Sequence, residues 1–220
     1  MTSQLDDATR RLVFLRVLVL GNLDTVTTSA GSEFSITLVR HGESDWNESH
    51  LVQGQNNDAR LTARGQEQAQ LVAESLRSLG FDYLFTSDLD RAEETASIIG
   101  TTLGLTPEID TLLRERSFGS FEGGPLKNLT SEVTGIANYV LVDPDARPPG
   151  GETFRDVVVR AELFIHRIRE DWPSNQLLVV THGGMVRALR AYWLRTALEG
   201  LTWDRVGNCS VWTLDANGAL

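Results

Sequence analysis

The chain has 220 residues, 20 of them basic and 30 acidic, for a formal net charge of −10. That length suits one α/β domain, and a hydrophobic share of 41% is enough to bury a core and excludes overall disorder. The acidic balance argues against a general nucleic-acid binder, which needs a basic face to displace counterions. A single cysteine, Cys209, excludes an internal disulfide framework and a cysteine-built zinc site.

No stretch reaches the ~18–20 apolar residues of a membrane span. The strongest N-terminal run, residues 12–20, is split by Arg16 and preceded by Arg10 and Arg11. With small residues at 28–30 it loosely imitates a signal peptide. Asp6, Asp7 and Arg16 speak against that. Residues 1–34 are therefore read as an N-terminal extension, amphipathic or flexible, and the location as cytoplasmic. Secretion, or a start placed upstream of the true one, are the alternatives.

Residues 35–39 form a short β-branched run that reads as a buried strand, ending in Arg40, His41 and Gly42. A polar loop through Asp58 comes next. Thr62 is placed to cap a helix that turns Ala69, Val72, Ala73, Leu76 and Leu79 to one side and stops at Gly80. Residues 82–86 read as a second strand. Ser87 or Asp88 then starts a helix with Ala92, Thr95, Ala96, Ile99 and Leu103 inward and Gly104 at its stop. Residues 107–110 read as a short strand, 113–124 as a glycine-punctuated loop, and 125–150 as weakly patterned chain. An amphipathic helix spans 153–172, and Pro173 ends it. Residues 176–180 are a third buried strand, ending in Thr181, His182, Gly183 and Gly184. A helix over about 185–198 and a last strand over 209–214 complete the chain.

Alternating strands and helices predict an α/β fold, a three-layer sandwich with a mainly parallel sheet and helices on both faces, over residues 35–220. Ligands bind beyond the carboxyl ends of such strands. Three strand ends carry chemically capable residues: Arg40 with His41, Ser87 and Asp88 with Arg91 one turn on, and Thr181 with His182. Parallel strands bring all three to one edge. His41 and His182 each follow an apolar strand and precede glycine, which lets backbone approach a ligand and leaves a helix N-terminus open to an anion. Histidines flanked by arginines suit phosphate better than a metal, because a guanidinium repels a cation and binds phosphate in a bidentate manner.

The segment Leu38-Val39-Arg40-His41-Gly42-Glu43-Ser44, with Asn47 three residues on, resembles the signature of the histidine phosphatase (phosphoglycerate mutase-like) superfamily. The match continues through Gln53-Gly54, residues 61–65, residues 87–92 with Thr95-Ala96, Leu113-Arg114-Glu115-Arg116, Gly119, Phe121-Glu122-Gly123, Gly150-Gly151-Glu152 and Thr181-His182-Gly183-Gly184, and covers roughly residues 35–214. The resemblance implies that His41 is the nucleophile that becomes a phosphohistidine. It implies that Arg40, Arg91 and His182 hold the transferring group, and that Asn47, Gln53, Gly54 and Gly183 complete the phosphate cradle. Glu115 is implied as the acid that protonates the leaving oxygen and then activates water. Glu152 is a candidate for the substrate mouth. No metal and no cofactor are implied.

The superfamily divides into hydrolases and mutases. Its phosphoglycerate mutases carry adjacent arginines before the second histidine, where they hold the substrate carboxylate. Here residues 127–146 contain no arginine, and Arg147 stands beside Pro148. The phosphatase branch is therefore expected, acting on a small phosphate ester. Lys127 keeps a mutase as the alternative, and a catalytically inert binding member is the reading from another class. Nucleic acid is not expected as a partner, and a homodimer is left open.

Overall fold

Six strands form one sheet in the order β3-β2-β4-β1-β5-β6. β1 (Ser35–Arg40), β2 (Tyr83–Thr86), β3 (Pro107–Ile109) and β4 (Gln176–Thr181) run parallel. β5 (Val211–Asp215) is antiparallel to β1, and the short β6 (Gly218–Ala219) is antiparallel to β5. Among the described residues the α-helices are α1 (Asp45–Glu48), α2 (Ala63–Leu76), α3 (Asp90–Leu103), α4 (Lys127–Thr130), α5 (Phe154–Asp171) and α6 (Gly183–Trp193). This computed structural model describes residues 34–130, 143–173, 175–201, 203, 205–215 and 218–219. The expected extension, apart from Phe34, and residues 131–142 of the weakly patterned stretch lie outside the described residues.

The pleat divides the apolar side chains between two cores. Ile36, Leu38, Phe85, Leu177, Val179, Trp212 and Leu214 face one way, against Phe164, Ile165 and Ile168 of α5 and Val186 and Leu189 of α6. Val39, Leu84, Leu178, Val180 and Val211 face the other way, against Val72 and Leu76 of α2 and Ala96 and Ile99 of α3. Strands covered on both faces need apolar residues at successive positions, which is why β1 and β4 read as continuous runs. Burying one side chain such as Leu38 or Phe164 contributes about 1.5–3 kcal/mol. The expected three-layer sandwich is the observed one.

Local signals set several ends. The Thr62 hydroxyl accepts from the Gly65 N–H at 3.0 Å and caps α2. Thr153 and Asp156 form a capping box at the start of α5. α3 stops at Gly104, which takes the left-handed conformation (φ +72°) that glycine adopts without strain.

Other ends differ from the expectation. The loop after β1 contains a one-turn helix, α1, closed by reciprocal hydrogen bonds between Ser44 and Asn47; one turn has no apolar periodicity to reveal it. α2 ends at Leu76, short of Gly80. α3 starts at Asp90 and not at Ser87 or Asp88, because those two side chains have tertiary partners in His182 and Arg114. α6 begins two residues earlier than expected and ends at Trp193, and Arg195 turns the chain at φ +53°. The last strand runs Val211–Asp215, slightly later than the pattern suggests.

Register brings the three polar strand ends together. Arg40 pairs with Thr181, and Val180 with Thr86, so β1, β4 and β2 finish side by side. Among the described residues no helix is long and apolar enough to cross a membrane.

Candidate active site

His41 extends β1 by one residue: its N–H donates to the Thr181 carbonyl at 2.8 Å. His41 is 2% exposed. Its Nδ1–H donates to the Gly42 carbonyl at 2.7 Å, so Nε2 carries the lone pair in the neutral ring. Gly42 must be glycine, since a Cβ there would lie 2.4 Å from the Gly65 carbonyl oxygen. The Asn208 amide donates to the His41 carbonyl at 3.1 Å and to Asn47 Oδ1 at 3.0 Å. Asn47 Oδ1 also accepts from the Ser44 N–H, so this side chain braces the turn after the nucleophile candidate. Arg40 donates from Nη1 to the Val206 carbonyl, and its Nε is buried without a partner.

His182 stands at the end of β4 as the residue that caps α6. It is fully buried, its ring centroid lies 5.2 Å from that of His41, and its Nε2 lies 2.9 Å from Ser87 Oγ. Its Nδ1 is buried without a partner. Gly183 opens the helix, and the Gly184 N–H donates to Glu115 Oε2 at 3.0 Å. The Arg116 N–H donates to the other oxygen at 2.7 Å. A Cβ at Gly184 would lie 2.1 Å from Glu115 Oε1, so glycine is what admits the carboxylate to the positive end of α6.

Arg91 is fully buried. It donates from Nη2 to the Gly54 carbonyl at 2.7 Å and from Nη1 to the Asn56 carbonyl at 3.0 Å, which ties the loop after Gln53 to α3. Gly54 has φ +53°, and a Cβ there would lie 2.1 Å from Glu122 Oε1. Glu122 in turn accepts from the Gln55 N–H, the Ser117 hydroxyl and the Phe118 N–H. Arg91 Nε and Gln53 Oε1 are buried without partners. Four of the site residues expected from sequence thus hold an unsatisfied buried polar atom, each costing about 1–3 kcal/mol. Such a concentration calls for a functional explanation.

Burial, followed by the charges of Arg40 and Arg91, holds His41 well below the usual imidazole range. Burial, then Arg91, His41 and Arg40, does the same to His182. Both rings are neutral near pH 7. Burial pushes Arg40 and Arg91 down to about 10, which leaves both charged at that pH. The chain is acidic overall, yet this edge of the sheet is locally cationic.

Two carboxylates are tied up elsewhere. Glu152 receives Arg160 Nε and Nη2, each at 2.9 Å, together with the Ser117 N–H. Arg160 also donates to the Leu112, Arg114 and Glu115 carbonyls, so Glu152 and Arg160 buttress the segment that carries Glu115. Asp88 pairs with Arg114, whose hydrogen bonds lower its carboxyl from the ordinary value. Nothing in the sequence singles out Asn208, Gln55 or Arg160, and Glu122 is visible only as part of the Phe121-Glu122-Gly123 motif, without a role. They lie in loops or on a helix flank, and only tertiary contact gives them a role. Ser87 is visible at a strand end, but its partner is 95 residues away.

A family model described as histidine phosphatase superfamily (branch 1) matches residues 36–219. A protein named probable phosphoglycerate mutase GpmB, from Salmonella paratyphi B, is 35% identical over 185 residues, which is 82% of this chain and 84% of that protein. Among solved structures, a mycobacterial glucosyl-3-phosphoglycerate phosphatase in complex with VO3 aligns with a TM-score of 0.75 and 29% identity, covering 82% of this chain and 92% of that one. A putative alpha-ribazole-5'-P phosphatase from Escherichia coli aligns with a TM-score of 0.73 and 31% identity, covering 84% and 93%.

Proposed function

Because the chain belongs to the histidine phosphatase superfamily (branch 1), we propose that it is a phosphomonoesterase that hydrolyses a small phosphorylated metabolite through a phosphohistidine on His41. The observation that carries this reading is the 2.7 Å contact between His41 Nδ1 and the Gly42 carbonyl. Gly42 holds the proton on Nδ1, which leaves a neutral Nε2 lone pair beside a second buried histidine and two arginines. A neutral imidazole nitrogen is a competent nucleophile at pH 7, and a covalent intermediate splits one displacement into two.

In the first step Nε2 bonds to phosphorus as the ester P–O bond breaks. Glu115 gives its proton to the leaving oxygen, and the alcohol departs. Arg40, Arg91 and His182 bind the equatorial oxygens, with Asn47, Gln53 and the backbone at Gly54 and Gly183 completing the cradle. In the second step water attacks the phosphohistidine. Glu115, now a carboxylate, takes the proton from that water, and phosphate leaves with His41 neutral again. The Gly184 N–H fixes one oxygen of Glu115 at this edge of the sheet, close enough to Arg40 and Arg91 to act on the charge of both, which supports placing the proton-transfer group there.

The relative named as a mutase favours a second reading, transfer between two oxygens of a phosphoglycerate. Against it stand the absence of arginine from residues 127–146 and the phosphatase names of both solved neighbours. Without a clamp on the substrate carboxylate, water captures the phosphohistidine. Sugar phosphates, phosphoglycerate derivatives, and nucleoside or cobalamin-precursor phosphates are the substrate classes to test.

The test is a screen of such esters for released phosphate, with rapid acid-free quenching to trap phosphate on His41. We expect phosphate release, inhibition by vanadate and activity that survives a chelator. Interconversion of phosphoglycerates without phosphate release would establish the mutase instead. Strict dependence on an added divalent metal would overturn the mechanism, and failure to turn over any aryl or alkyl phosphate would leave a binding protein.

A further inference from the structure

We propose that Ser87 is a positioning residue that fixes His182 in its Nδ1–H tautomer, so that this ring offers a hydrogen-bond donor, and not a second lone pair, beside His41. The proposal rests on reading the site as one for phosphoryl transfer.

A hydroxyl next to a neutral imidazole can donate or accept, so the 2.9 Å contact between Ser87 Oγ and His182 Nε2 leaves the direction open. Two further observations set it. The Leu89 N–H donates to Ser87 Oγ at 3.2 Å, so the oxygen already accepts one bond from the backbone. Ser87 is fully buried, and among the described residues His182 Nε2 is the acceptor within reach of its proton. A buried hydroxyl proton without an acceptor is costly. The O–H therefore points at Nε2, Nε2 accepts, and the ring proton resides on Nδ1. That nitrogen is the one buried without a partner.

The two histidines then present complementary groups by different means. A carbonyl, which can only accept, fixes the proton of His41 on Nδ1. A hydroxyl, given its direction by the Leu89 N–H, fixes the proton of His182 on Nδ1 by donating to Nε2. The nitrogen left over is a lone pair in one ring and an N–H in the other. A lone pair at His182 Nδ1 would repel a phosphoryl oxygen and compete with His41 as a nucleophile. Neutral histidine in water favours the Nε2–H form, so the preference has to come from Ser87.

The test is two-bond proton–nitrogen NMR on 15N-histidine protein at pH 7–8. The sequence holds only four histidines, and a His182→Gln sample assigns the resonance. We expect protonated Nδ1 and unprotonated Nε2 for His182 in the resting protein. In Ser87→Ala the Nε2–H form should emerge. Vanadate affinity and kcat/KM for 4-nitrophenyl phosphate should then fall together, by roughly 10–100-fold, somewhat less than removing a transition-state donor outright. Ser87→Thr, which keeps the hydroxyl, should keep the tautomer. An Nε2–H His182 in the unaltered protein, or an Nδ1–H form that persists in Ser87→Ala, would overturn the proposal. The spectrum is read without turnover, so a protein that proves inactive refutes the phosphatase reading while leaving the tautomer assignment to stand or fall by itself.

Discussion

The ends of β1 and β4 repeat one local pattern: an apolar parallel strand, a polar residue, histidine, glycine. They lie side by side in register, with Arg40 opposite Thr181. Beyond the glycine the two chains diverge. Gly42 packs against the backbone at Gly65 and leads into a loop braced by Ser44, Asn47 and Asn208. Gly183 opens α6, an 11-residue helix whose first turn faces the site. Only the second junction runs directly into a helix, and Glu115 is bound there through the Gly184 N–H. On the proposed reading, similar sequence grammar thus yields a nucleophile on one strand and, on its neighbour, a donor with a proton-transfer group beside it. The continuation of the chain decides between them.

Exchanging the two histidines for alanine measures that division most directly. His41→Ala should abolish turnover, by roughly 10⁴-fold or more, as losing a covalent nucleophile does. His182→Ala should cost about 10²–10³-fold, the scale of one missing transition-state donor, while acid-labile phosphate still accumulates on His41. Trapping equal phosphate in both variants, or in neither, would show that the junctions do not divide the work.

Glu115 belongs to the second junction, and its contribution should depend on the leaving group. An alkyl phosphate leaves as a basic alkoxide and needs a proton, whereas 4-nitrophenolate hardly does. Glu115→Gln should slow single-turnover phosphorylation by a sugar phosphate within a general acid's ~10²–10⁴-fold, and phosphorylation by 4-nitrophenyl phosphate far less. Equal losses would remove Glu115 as the acid. Asp88 and Glu152 are poor replacements because Arg114 and Arg160 hold them.

The smallest effect concerns stability. Burial and the neighbouring arginines depress both imidazoles in the folded protein, whereas in the unfolded chain they protonate near about 6.5. The unfolded state therefore binds more protons as pH falls. The contribution is fully present above about pH 6.5 and is lost below it, by up to about 1.4 kcal/mol per pH unit for each histidine until its folded value is reached. Urea midpoints tracked from pH 7 to pH 5 should fall less steeply in a His41→Gln, His182→Gln double variant. An unchanged slope would mean that both rings take up protons in the folded protein as readily as in the unfolded chain.

The sheet and both of its helical faces are legible in the chain, because hydrophobic periodicity is local and the apolar runs at β1 and β4 have few other uses. Thr62, Thr153, Gly104 and Pro173 mark helix ends through chemistry that acts within a few residues. That Arg40, His41, Arg91 and His182 share one edge follows from parallel strands, and that they adjoin follows from the strand order and register. Element ends are misplaced where a side chain that looks like a cap has a distant partner, as at Ser87 and Asp88. They are also misplaced where one turn is too short to show a period, as in α1.

The strand ends of this protein are thus written in its sequence, and so are the residue types that meet there. Which nitrogen of His182 carries the proton, which carboxylate is bound at α6 and which are held by Arg114 and Arg160 are not. Those outcomes depend on hydrogen bonds of 2.9–3.0 Å between residues such as Ser87 and His182 or Glu115 and Gly184, 95 and 69 positions apart. A hydrogen bond is directional and fails within a few tenths of an ångström, so only the packed fold brings such pairs within reach. Hydrophobic burial is non-directional, and its pattern survives in the order of the residues.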